Sequence, residues 1–173
     1  MKHSRHRNSR RGSIILEFAL AGIAVLTILP ATVKLCIGLW NYHTLAYAVH
    51  EAARYAASHG RGCITGTSSC GITVGNVTTN LATNAIGLSS SALSVTLTTD
   101  SGVSTVCAPI TTCTSSTTRW PPTSNMDNLT GKKVIVSATY KFTAGVLMSW
   151  TGAGSMDYDT FFFPAQATAT IIF

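Results

Sequence analysis

Charged residues are scarce in this chain of 173 residues, of which 10% are Asp, Glu, Lys or Arg. A soluble globular domain usually has more than twice that share. The net charge of +6 comes mainly from the first twelve residues, and the rest of the chain is close to neutral. No basic surface with interleaved aromatic residues follows the N-terminal cluster. The sequence therefore argues against nucleic acid as a partner.

The sequence also lacks the motifs of the common enzyme classes. It has no phosphate-binding loop and no Gly-x-Ser-x-Gly nucleophile motif. His50 and Glu51 begin like a zinc-protease motif, but Arg54 stands where the second histidine ligand is required. Glu51 and Arg54 are instead expected to form a surface ion pair on a helix. We therefore predict a protein that is not an enzyme and that needs no metal or cofactor.

A long apolar run follows the basic cluster. Ile14–Val33 has the length of a bilayer-spanning helix, roughly 30 Å, and Pro30 near its end is tolerated in such helices with an expected kink. The cations of residues 1–12 precede the run, and Lys34 follows it. The positive-inside rule then predicts a cytoplasmic N-terminus and an extracytoplasmic location for residues 35–173.

Conventional export signals fit this N-terminus poorly. Leu29 and Lys34 stand where signal-peptidase and lipoprotein cleavage need small residues, and Glu17 interrupts the apolar core of a twin-arginine signal. A cut directly after Gly12, on the cytoplasmic side, is the remaining alternative. It would remove the leader and make Ser13 the mature N-terminus.

Glu17 is the only carboxylate in the apolar run. Such a group is costly in a membrane and usually has a partner and a function. One interpretation is a side chain that reaches water at the interface. The interpretation we favour pairs Glu17 with the amine that a cut after Gly12 would create on Ser13 of a neighbouring subunit. Glu17 would then set the register of an assembly.

The remaining pattern predicts an α+β fold. A long N-terminal transmembrane and amphipathic helix is expected to continue to about Ser58, and a short helix is expected over Asn76–Ile86 with Gly87 as its C-cap. The long helix carries an apolar stripe at steps of three and four, namely Leu45, Val49, Ala52, Ala53 and Ala56.

Alternating apolar residues predict a small antiparallel sheet of three to four strands, packed against the long helix. The expected strands are 93–98, 103–106, 133–142 and 165–173, and residues 144–164 are expected to form an excursion at the sheet edge. The predicted domains are thus a basic cytoplasmic leader, cleaved, at 1–12, a long helix at 13–59, transmembrane in its first half, and an extracytoplasmic α+β domain at 60–173.

Four of the five cysteines form two close pairs, Cys63 with Cys70 and Cys107 with Cys113. The spacing does not suit a zinc site, and disulfides are the natural state outside the cytoplasm. Three pairings are possible, and we favour 63–70 and 107–113. Cys36 is expected to be an inert buried thiol, with an intermolecular link as the alternative.

The residues Arg10–Leu20 resemble the N-terminal signature of TadE-like pseudopilins of the tight-adherence (Flp, type IVb) pilus system. Gly12 followed by Ser-Ile-Ile-Leu-Glu-Phe resembles the class III signal of type IV prepilins. Ala48–Ala57 and Val134–Phe142 are similar to the helix segment and the central strand of the TadE-like family. TadF-like proteins and major pilins share the N-terminal signature, and major pilins of that system are far shorter than this chain.

The resemblance implies that a prepilin peptidase cuts between Gly12 and Ser13 and that Glu17 is the assembly carboxylate. It implies a minor pilin or pseudopilin in the bacterial inner membrane or in an extracellular pilus. The implied partners are other pilins or pseudopilins, an inner-membrane assembly platform with its ATPase, and membrane lipid. The alternative function is a permanent single-pass membrane anchor that keeps its leader and carries an extracytoplasmic binding or adhesion domain.

Overall fold

A long helix, a short helix and a four-stranded antiparallel sheet make up the part of the chain that the computed structural model describes, which is residues 9–59, 71–123, 125–143 and 160–172. This architecture confirms the predicted α+β class. In chain order the helices and strands are α1 Ser9–Ala57, α2 Val74–Asn84, β1 Leu93–Thr99, β2 Ser104–Cys107, β3 Lys133–Thr143 and β4 Thr160–Thr170.

Helix α1 is continuous over 49 residues, which corresponds to a length of about 74 Å. Pro30 lies inside it, and close by the Thr32 hydroxyl donates a 2.8 Å hydrogen bond to the Leu29 carbonyl. The helix ends at Ala57, slightly before the predicted end. Ser58 closes it, because its hydroxyl donates to a carbonyl of the last turn that would otherwise lack a partner.

The two halves of α1 have different surroundings. The described side chains of residues 14–37 are exposed or partly exposed. The most apolar 18-residue window has a mean hydropathy of 2.3 and is 0% buried. From Gly38 onward one face of α1 is buried, and this face includes the whole apolar stripe predicted between Leu45 and Ala56. Packing against the sheet thus begins where the membrane-length segment ends.

Helix α2 begins two residues before the predicted start. Thr73 is its N-cap, and the Thr73 side chain accepts a hydrogen bond from the Asn76 amide, so the helical turn starts at Val74. The prediction of Gly87 as C-cap was wrong, because the chain leaves the helix at Ala85. Gly87 instead adopts a positive φ of 85° in the turn that follows.

The sheet has the strand order β2-β1-β3-β4 with antiparallel neighbours. Alternate residues of its two central strands are buried, because they face α1 and the core that α2 completes. These core residues are Leu93, Val95 and Leu97 of β1 and Val134, Val136, Ala138 and Tyr140 of β3.

Strand β4 begins five residues earlier than predicted. Residues 160–164 pair with the end of β3 and are not an excursion, and that prediction was wrong for them, whereas residues 144–159 lie outside the described part. Pro164 stands opposite Thr139 in this strand. Proline is tolerated there because β4 is an edge strand, whose outward positions need no amide hydrogen.

Candidate assembly and membrane-anchoring site

The predicted cleavage pair and the assembly carboxylate lie near the start of α1. Gly12 and Ser13 are in its first turns, and Glu17 follows on the exposed apolar half. Four helical positions separate Ser13 from Glu17, which places them on one face of the helix about 6 Å apart along its axis. Glu17 already makes an interaction within the unprocessed chain. The helix therefore brings the predicted new amine and the carboxylate to the same face.

Cys36 is exposed on α1, which makes the expectation of a buried thiol wrong for this chain. The reason is its position: cover from the sheet begins at Gly38, and Cys36 lies two positions before it. Its sulfur is on the surface that lipid or a neighbouring chain would contact.

The junction between the apolar half and the outer domain is built on Gly38. A side-chain carbon placed there would lie 3.6 Å from Phe163 Cζ and 3.8 Å from Phe142 Cε1. The rings of Phe142 and Phe163 are stacked with their centroids 5.6 Å apart, and Tyr42 meets Phe163 edge-on at 6.3 Å. The two aromatic rings therefore leave room for a methyl group at position 38 but for nothing larger without moving.

A disulfide joins Cys107 at the end of β2 to Cys113, with their Cα atoms 5.7 Å apart. The segment that follows supports α2, because Ser116 O accepts a hydrogen bond from the Gly75 amide at 3.1 Å. A side-chain carbon at Gly75 would lie 2.6 Å from that same oxygen. The other predicted pair, Cys63 with Cys70, lies outside the described residues.

Asp127 is a buried carboxylate, and no motif in the sequence predicted a role for it. It accepts hydrogen bonds from the Thr99 hydroxyl at 2.7 Å, from the Ser101 amide at 3.2 Å and from the Ser101 hydroxyl. Burial by itself raises the pKa of Asp127. The bonds from Ser101 and Thr99 and the charge of Lys132 outweigh burial, so the pKa lies below its ordinary value of 3.8.

Asp127 holds the turn between β1 and β2 against the loop that leads into β3. Nearby, Lys132 Nζ lies 2.9 Å from Asp100 Oδ2, and this contact raises the pKa of Lys132. The one available signal in the sequence was the rarity of acids, since the chain contains six. In a chain with so few acidic residues, each Asp is a candidate for a specific contact.

The described part of the chain contains no group of three or more His, Cys, Asp or Glu residues arranged to hold a metal ion. The Glu51–Arg54 ion pair that the sequence predicted is present on α1, with 3.3 Å between nitrogen and oxygen. His50, beside it, is exposed. These polar residues of the helix are therefore arranged as a solvated surface.

A family model described as TadE-like protein matches residues 12–54. Comparison with curated proteins and with solved structures finds no match. The matched segment begins at the predicted cleavage pair, includes Glu17 and the exposed apolar half, and extends through most of the buried half of α1. Residues 12–54 are thus similar to the TadE-like family, as the resemblance of Arg10–Leu20 implied.

Proposed function

We propose that this protein is a minor pilin or pseudopilin that takes part in initiating, priming or capping a type IVb tight-adherence pilus. It acts by assembly and not by catalysis, and it needs no metal or cofactor. A prepilin peptidase removes residues 1–12, and the mature chain waits in the inner membrane with its sheet domain outside.

The observation that carries this proposal is the division of one continuous helix into two halves. Residues 14–37 expose an apolar surface of membrane length, and residues 38–57 are packed on a folded domain. A subunit of this form can be stored in a bilayer and then pass its apolar half to a bundle of similar helices. The TadE-like match spans both halves, which supports the same interpretation.

Cleavage after Gly12 supplies the chemistry of assembly. The new Ser13 amine has an ordinary pKa of about 8 and is therefore positively charged at neutral pH. A cation at a helix N-terminus opposes the helix dipole, whereas a carboxylate in the first turns is favoured by it. Glu17 of one subunit and the Ser13 amine of its neighbour neutralise each other, and this pairing sets the axial register of the bundle.

The proposed partners follow from these steps. The peptidase acts on the cytoplasmic side, and a membrane platform with its ATPase extracts the mature subunits from the lipid. Other pilins or pseudopilins then contact the apolar half of α1. The cations of residues 1–12, lost in processing, orient the precursor in the membrane before the cut.

N-terminal sequencing of the membrane-extracted protein tests the proposal, with cells that have or lack the prepilin peptidase. We expect the chain to start at Ser13 in the first cells and to keep residues 1–12 in the second. A chain that starts at Met1 in both would refute the pilin proposal.

A chain that starts at Met1 in both kinds of cell would favour the alternative, a permanent single-pass anchor with an extracytoplasmic binding or adhesion domain. The exposed apolar half of α1 is compatible with this function as well, because anchoring alone requires no cut. The two functions therefore differ in processing and not in membrane insertion.

A further inference from the structure

We infer that the end of the β3–β4 pair where Phe142 stands opposite Phe161 rests in the outer interface of the bilayer. The folded domain then has a second membrane contact besides α1. The contact surface consists of Trp40 on the helix and Phe161 and Phe162 at the start of β4, and we name these three residues the aromatic rim. The inference rests on the proposed insertion of residues 14–33 in a membrane.

Strand β4 runs alongside α1. Phe163 lies beside Gly38, and nine residues later the Ile172 amide donates a 3.4 Å hydrogen bond to the Ala57 carbonyl. The strand segment rises about 30 Å between these contacts. The helix rises about 29 Å from Gly38 to Ala57. The agreement of the two lengths means that the strand and the helix run side by side in the same direction.

This alignment fixes the height of Phe161 relative to the apolar run of α1. Phe161 lies two residues before Phe163 and therefore about 7 Å farther toward the N-terminus of α1. That distance corresponds to about four helical residues, which puts Phe161 level with Lys34. Lys34 is the first charged residue after the apolar run. Phe161 thus lies at the level where the hydrocarbon core gives way to the headgroups.

Exposed aromatic residues lie at this level and just above it. Phe161 and Phe162 are 47% and 63% exposed in the isolated chain, and Trp40, about 9 Å farther along α1 than Lys34, is 66% exposed. Lys141 is exposed and stands opposite Phe162 in the sheet register. Aromatic rings with adjacent lysines are characteristic of membrane interfaces, where the rings enter the headgroup layer and the ammonium groups meet phosphates.

A bilayer suits this surface better than a second copy of the chain. Successive strand residues point to opposite faces of the sheet, so Phe161 and Phe162 project on both sides of β4. A protein partner would cover one of these faces. Interfacial lipid can contact both faces of β4, and it is continuous with the lipid around α1.

Photocrosslinking of the full chain in vesicles of phosphatidylethanolamine and phosphatidylglycerol tests the inference. A benzophenone amino acid replaces Phe162 in one variant, Thr168 in a second and Leu20 in a third. Phe162 and Thr168 are both exposed and lie on the same face of β4, about 20 Å apart, so Thr168 is the matched control. Leu20 reports whether α1 itself is inserted.

We expect a mass increase of one phospholipid from positions 20 and 162, and many-fold less lipid adduct from position 168. Lipid adducts at position 20 without any at position 162 would overturn the inference and leave the anchoring by α1 intact. Dimers of the chain as the sole product at position 162 would also overturn it, in favour of a subunit contact. Absence of lipid adducts at position 20 would refute the anchoring, and the inference with it.

Discussion

The Thr99 hydroxyl donates a 2.7 Å hydrogen bond to the Asp127 carboxylate, although 28 residues of chain separate them. Thr99 is the last residue of β1, and Asp127 lies in the loop before β3. The bond therefore closes the end of the sheet that lies farthest from Gly38. At this end the buried Asp127 carboxylate accepts hydrogen bonds from Thr99 and Ser101, so the turn after β1 and the loop before β3 stabilise each other.

Replacing Asp127 with Ala is expected to destabilise the outer domain by about 1–3 kcal/mol, because the Thr99 and Ser101 donors lose their acceptor. Urea unfolding of the detergent-solubilised chain, followed by tryptophan fluorescence, measures the loss. The matched control is Asp100→Ala, which removes the exposed ion pair with Lys132. Equal stability losses in the two variants would contradict a special role for Asp127.

The same carboxylate predicts a pH dependence. The pKa of Asp127 is lower in the folded chain than the ordinary 3.8, so its contribution to stability is fully present above that value. The contribution is lost as the pH falls through the folded pKa. We expect the urea midpoint to fall between about pH 5 and pH 2 and the slope to be smaller in Asp127→Asn. An unchanged slope in that variant would assign the acid sensitivity to other groups.

Gly75→Ala is expected to destabilise the chain by about 1–3 kcal/mol, because the new carbon would meet the carbonyl oxygens of Ser116 and Thr114 at 2.6 and 2.8 Å. Both oxygens are backbone atoms and cannot rotate away. Thr79→Ala, on the exposed side of the same helix, is the control. Thermal unfolding followed by circular dichroism compares them, and a Gly75→Ala midpoint equal to that of Thr79→Ala would show that the loop yields.

Gly38→Ala is expected to keep or raise stability by up to about 1 kcal/mol, since alanine favours the helix and its carbon would make ordinary contacts with Phe163 and Phe142. Gly38→Trp would force the two rings apart and should cost about 1–3 kcal/mol. Limited proteolysis of both variants in detergent measures the difference. Equal resistance would mean that the junction does not depend on the close approach of the rings.

Glu17→Ala is expected to leave cleavage after Gly12 largely intact and to block incorporation into filaments, because the neighbour's Ser13 amine would have no partner. Immunoblots of the processed chain and of sheared filaments separate the two steps. Glu51→Ala is the control, since Glu51 lies on the same helix in a surface ion pair. Normal amounts of Glu17→Ala in the filaments would refute the register role.

The accuracy of the sequence-based predictions differs between parts of the chain for identifiable physical reasons. Strict alternation over Leu93–Thr98 and Lys133–Phe142 predicts strands because one face of each is buried. The start of β4 was missed, since three consecutive Phe residues before Pro164 have no alternation and were therefore assigned to an excursion at the sheet edge. The N-cap at Thr73 was missed because threonine is common throughout this region.

Contacts between distant segments are harder to predict. Asp127 accepts hydrogen bonds from residues that are more than 25 positions away in the sequence. No local sequence pattern predicts such a contact. The function of Glu17 is a further case, because its proposed partner belongs to another subunit and exists only after a cut. A single unprocessed chain cannot contain that contact.

The side-by-side run of α1 and β4 has a mechanical consequence. The sheet is joined to the helix along nearly the whole stretch from Gly38 to Ala57, and the Ile172–Ala57 hydrogen bond secures the far end. A force along the helix axis loads this joint in shear, so its contacts share the load and are not peeled apart one after another. Drawing α1 out of the bilayer therefore moves the sheet with it as one stiff body.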